Sequence, residues 1–176
     1  MRNKLVVAAI AAALASLIAA TTPGENRLIR EVRHELIMLP YYGVFDNLAY
    51  RVEGGKVTLE GHVTRPTLKS SAEKVVAGIE GVEQVVNNIE VLPLSPNDDR
   101  LRNALYRAIY GHTALNRYAL WSVPPIHIVV KNGNATLVGF VANEGDRTIA
   151  NVQANGVAGV FSVKNELQLE PREPKR

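Results

Sequence analysis

The chain has 176 residues, with 20 Lys/Arg against 17 Asp/Glu, a formal net charge of +3 and no cysteine. That charge balance excludes the strongly basic face of a nucleic-acid-binding protein. The missing cysteine excludes disulfides, a thiol nucleophile, a cysteine-held metal and the lipid-modified cysteine of a bacterial lipoprotein.

In chain order, Arg2 and Lys4 lead into an alanine-rich run, Leu5 to Ala20, apolar apart from Ser16. This is the pattern of a secretory signal peptide over residues 1–20, and the run is short of the roughly 20 apolar residues of a membrane span. Small residues suit cleavage after Ala20, with Ala15 the second choice; retention as an N-terminal anchor is the alternative. The expected location is the periplasm.

RLIREVRHELIML (27–39) places Leu28, Val32, Leu36 and Leu39 on one helical face, and Thr22 and Glu25 before it have capping-box spacing. LAYRVE (48–53) and KVTLEGHVT (56–64) alternate about a Gly54-Gly55 turn, which reads as a hairpin. Pro66 opens a second helix facing inward through Leu68, Ala72, Val75 and Ile79, and Gly78 and Gly81 end it. VEQVVNNIEVL (82–92) supplies a last strand.

The order then repeats. Residues 55–91 align without a gap on residues 133–169, with 11 of 37 positions identical. Two copies are too few for a solenoid and read as tandem domains. The first spans 21–93, a linker covers 94–98, the second spans 99–171, and 172–176 form a charged tail. The second helix stripe is Leu101, Ala104, Leu105, Ala108 and Ile109, with Ser95, Asp98 or Asp99 as cap. Ile126, Ile128 and Val130 face inward before an Asn132-Gly133 turn, and Ala135, Leu137, Gly139 and Val141 after it. The fold class is α+β: two αββαβ units, each a three-stranded mixed sheet with two helices packed on one face. Such small cores are marginal alone, so contact between the two units is expected. Gly61 and Gly139 fall at inward strand positions. A helix crossing close to the strand is the expected reason, and a simple bulge the alternative.

VTLEGHV and ATLVGFV, the Gly-Val before each last strand, and VVNNIEV and SVKNELQL together resemble the BON domain, a module of bacterial osmotically induced and nodulation-related envelope proteins. The resemblance covers both units. It implies a periplasmic or outer-membrane-associated, non-enzymatic protein, with a role in envelope integrity or osmotic stress. In some dual-domain lipoproteins of this kind the second domain binds anionic phospholipid. This chain lacks their cysteine, so direct lipid anchoring does not carry over.

No catalytic chemistry competes with that reading. HELIM (34–38) has Met38 where a zinc protease needs its second histidine, and His62, His112 and His127 show no metal spacing. No cofactor and no metal are expected, and no nucleophile motif occurs.

Binding is expected in the second unit. Residues 21–93 hold 8 basic and 10 acidic residues, whereas 94–176 hold 10 and 7. GHTALNRYALWSVPPI (111–126) is five residues longer than its counterpart and carries the chain's one tryptophan. Arg102, Arg107, Tyr110, Arg117, Tyr118 and Trp121 combine rings and cations, which suits an anionic phospholipid surface. Covering the edge of a small core is the competing use of those rings. The outward strand face differs too. The first copy shows Arg51, Glu53, Thr58, Glu60 and His62; the second shows Val129, Val138 and Phe140. An apolar face of this kind marks contact with the first unit or with an envelope protein partner. A soluble protein-interaction or chaperone-like module working through it is the alternative function.

Overall fold

A computed structural model of the chain describes residues 23–170. The leader, its cleavage site, Thr22 and the 172–176 tail lie outside the described residues. Helix α1 (Pro23–Ile37) is followed by strands β1 (Asn47–Glu53) and β2 (Lys56–Val63), helix α2 (Pro66–Ala77), and two short strands, β3 (Gln84–Asn87) and β4 (Glu90–Val91). The second unit repeats the order with α3 (Pro96–Tyr110), β5 (Ile126–Lys131), β6 (Asn134–Val141), α4 (Glu144–Asn155) and β7 (Ser162–Leu169). Each sheet is mixed. β1 and β5 run antiparallel to β2 and β6, and β3, β4 and β7 run parallel to them. The middle strand is therefore the hairpin's second arm, which crosses back through a helix.

The apolar stripes face as their spacing requires. Leu28, Val32 and Leu36 of α1 join Leu59, Leu68, Ala72 and Val76 in the first core. Leu101, Leu105 and Ile109 of α3 join Ile126, Ile128, Leu137 and Ala150 in the second. Each buried Leu or Ile stabilises its unit by roughly 1.5–3 kcal/mol. Three departures from the sequence reading are local. Val76 of α2 is fully buried, while Val75 and Ile79, the expected inward positions, are half-buried. The last strand of the first unit breaks at 88–89 into β3 and β4. A short 3-10 helix (Asn116–Leu120) forms in the long loop of the second unit.

The repeated glycines have a different cause from the one expected. Gly61 and Gly139 adopt φ of +115° and +119°. A Cβ on either would collide with backbone of the neighbouring strand, the Asn47 carbonyl oxygen in one unit and the Pro125 carbonyl oxygen in the other. The close neighbour is the hairpin partner, not a helix, and the dihedral alone already favours glycine.

The repeated asparagines are also structural. Asn87 Nδ2 donates to the Lys69 carbonyl of α2, and its Oδ1 accepts from the Ile89 amide. Asn165 makes the same pair of bonds, to the Arg147 carbonyl and from the Leu167 amide. On either side of Ile89, the Asn88 amide reaches the Leu59 carbonyl and the Leu92 amide the Val63 carbonyl, both of β2. Ile89 therefore points its N–H away from the sheet, and the asparagine side chain takes it up.

The units meet through residues 38–46, between α1 and β1. The Val44 carbonyl accepts from the Ile128 amide at 2.7 Å, adding one rung to the outer edge of β5. Val44 and Phe45 pack on the core of the second unit, with Phe45 edge-on to Tyr106 at 6.3 Å. Tyr42 stacks on His127, and Lys131 pairs with Glu90 at 2.6 Å.

Candidate functional site

The second unit holds every residue singled out from sequence, and α3 positions three of them. Ser95 caps the helix by accepting from the Asp98 amide, and Pro96 occupies its first turn. Asp98 is not the cap. Its carboxylate accepts the Asn132 and Gly133 amides at 2.9 Å each, fixing the β5–β6 turn to the helix start.

Arg102, one turn on, is buried. Its guanidinium donates to Asp99 Oδ1 at 2.5 Å and to the Val130 carbonyl at 2.7 Å. Tyr110 is buried as well, its hydroxyl donating to the Ile126 carbonyl at 2.6 Å; burial pushes its pKa well up. Arg107 is exposed in the last turn and forms no ion pair among the described residues.

The long loop folds back on the sheet. Leu115 and Tyr118 are buried, so the 3-10 turn carries its own apolar anchor. The Tyr118 hydroxyl donates to Asp146 Oδ2 at 2.5 Å and accepts from the Ala142 amide at 2.9 Å. Burial first, and the Asp146 bond after it, raise its pKa; the Ala142 amide and Arg117 oppose them. Arg117 stacks over the Tyr118 ring at 4.9 Å and pairs with Asp146. Asp146 itself takes Asn143 Nδ2 at 3.0 Å. Past this anchor the chain turns outward, leaving Leu120 87% and Trp121 60% exposed.

The six residues thus separate. Arg102, Tyr110 and Tyr118 are corrected: they are buried, and each is hydrogen-bonded inside the unit. Arg117 reaches the surface with its charge already paired. Arg107 and Trp121 remain outward, and Leu120 joins them. On the other face, Val129 is buried at 5% exposure and Val138 half-buried, while Phe140 is 41% exposed. The sequence reading missed the 38–46 segment, because that is where the two copies stop resembling each other.

Among the described residues no group of three His, Asp or Glu is placed to hold a metal ion. Nor, among them, is any helix long and apolar enough to cross a membrane.

Comparison with known proteins agrees with the repeated architecture. The family profile described as the BON domain matches residues 25–93 and 112–171. No curated protein matches the chain. Among solved structures, the chain is similar to CdsD, a structural protein of the type III secretion system of Chlamydia trachomatis, at 19% identity and a TM-score of 0.30. That match covers 84% of this chain and 94% of the other. A structure of the C-terminal domain of CdsD matches at 18% identity and a TM-score of 0.29, covering 82% and 98% respectively.

Proposed function

This chain belongs to the BON domain family, and on that premise we propose that it is a non-enzymatic cell-envelope protein whose second unit rests on anionic phospholipid. Family membership supports the envelope-associated, non-enzymatic part. The observation that carries the lipid part is the pair Leu120 and Trp121, exposed at the tip of a loop that is shorter in the first unit. An exposed tryptophan suits the headgroup layer, where its ring is half in contact with acyl chains. Arg107, unpaired and exposed in the last turn before that loop, supplies a cation for phosphate. Arg117 contributes less, because Asp146 already neutralises it. Export to the periplasm, and a part in envelope integrity under osmotic stress, belong to the same reading.

Co-sedimentation of the chain with anionic or neutral phospholipid vesicles, at low and high salt, tests it. The expected outcome is pelleting with anionic vesicles that fades as salt rises, and that falls in Trp121→Ala and Arg107→Ala. Equal pelleting with neutral vesicles, or none with either, removes the lipid reading. The protein-interaction alternative would then rest on Val138 and Phe140, since Val129 is already covered.

A further inference from the structure

His127 is the one histidine buried among the described residues, and it is buried between the units rather than within one. It sits on the outward face of β5 at 9% exposure, one residue before the amide that bonds across to Val44. Its ring lies 5.5 Å from that of Tyr42, at 26° to it. Its Nδ1 is buried with no hydrogen-bond partner among the described residues. A bare ring nitrogen tolerates that position far better than a charged N–H, which needs an acceptor.

The groups facing the ring can be named. From the 38–46 segment come Tyr42, a phenol pushed up to about 12 chiefly by burial, the backbone acceptors of Asp46 and Gly43, and the Asp46 carboxylate. From β6 comes Val138, uncharged. Further along β5, Lys131 pairs with Glu90, and His62 lies beside Glu90 at 3.4 Å. Asp46 is the carboxylate whose charge acts on the ring, but its oxygens are in use. They accept the Gly43 amide at 3.2 Å and the Thr64 amide and hydroxyl at 2.7 and 2.8 Å. Turning to the ring would uncap Thr64.

We propose that His127 is a proton-operated latch between the two units: neutral, it seats the 38–46 segment on β5; protonated, it releases that segment and bares the outer edge of β5. Burial pushes the His127 imidazole below its usual range, and the backbone of Asp46 and Gly43 with the Asp46 carboxylate only partly offsets this. The docked ring therefore has the lower pKa. As pH falls below about 6.5, the undocked state binds the extra proton first. Docking weakens through that range and levels off once the docked ring is protonated too. The hydrogen bond from Lys131 holds the Glu90 carboxyl below its ordinary range, so Glu90 keeps its charge throughout the window.

The test is the hydrogen-exchange protection of the Ile128 amide, read by NMR on the chain from pH 7.5 to 5.0. Its acceptor belongs to the other unit, so it reports docking directly. Protection should fall by up to about tenfold for each pH unit below about 6.5, while amides shared by β6 and β7 keep theirs. His127→Phe, which keeps the stacked ring without the proton site, should hold Ile128 protection flat with pH. His62→Gln should leave the wild-type profile in place. Constant protection in the wild-type chain, or the same pH profile in His127→Phe, would overturn the latch. Should His127→Phe fail to fold, the His127 ring resonances of the wild-type chain decide. A ring that takes up its proton with no change at Ile128 also overturns it.

Discussion

The two units meet one shared demand with different residues. The chain leaves each hairpin at Thr64 or Ala142, and the backbone amide there needs an acceptor. In the first unit Asp46 supplies it, taking the Thr64 amide and hydroxyl together with the Gly43 amide. In the second the acceptor is the Tyr118 hydroxyl, itself braced by Asp146 and Arg117. The fold requires an acceptor at that place and leaves its identity open. Loop length then decides what else the segment does. The short version projects Val44 and Phe45 onto its neighbour. The long version covers its own unit with Leu115 and Tyr118 and projects Leu120 and Trp121 outward.

Features common to both units should show the largest and most equal effects. Gly61→Ala and Gly139→Ala each force a Cβ against a strand carbonyl at positive φ, at an expected cost of about 3 kcal/mol or more in denaturant unfolding. A loss confined to one of them would break the equivalence of the hairpins. The divergent acceptors come next. Asp46→Ala strands three donors and should cost about 3 kcal/mol. Tyr118→Phe strands the Ala142 amide and removes one of the three donors to Asp146 Oδ2, and should cost about 2 kcal/mol in the same experiment. Equal losses would mean that the phenol network carries as much as the carboxylate. Asn87→Ala and Asn165→Ala should each cost about 1 kcal/mol, since each frees one amide and one helix carbonyl. Trp121→Ala should change stability by less than about 0.5 kcal/mol. That near-zero result, beside a loss of vesicle binding, would separate function from scaffold in the loop that distinguishes the units.

The architecture was readable because the repeat restates it. Alternation fixed the hairpins, and helical spacing fixed the stripes at Leu28, Val32 and Leu36 and at Leu101, Leu105 and Ile109. Those are local signals, and each core follows from them. The position of Gly61 and Gly139 was visible for the same reason, but not its cause. Periodicity tells which face a residue occupies and says nothing of φ or of a carbonyl across the hairpin. The candidate site was less legible. Tyr118 is held by Asp146, 28 residues on, and Arg102 by Val130, also 28 residues on. No local pattern announces such bonds, so buried rings and cations read like exposed ones. The unit contact was invisible because residues 38–46 have no repeated counterpart to mark them.

The asparagine bonds at Asn87 and Asn165 have a consequence for solubility. Each sheet ends in a strand, β3–β4 or β7, whose outer backbone has no neighbouring strand in the fold. Such a rim is a template on which another chain can crystallise its own backbone, the first step towards fibrils. Here the amide of Ile89 or Leu167 is already engaged by a side chain from its own strand, and that side chain is tethered to a helix. An incoming strand would find that rung of the ladder taken. Each rim thus offers an incoming chain one backbone donor fewer.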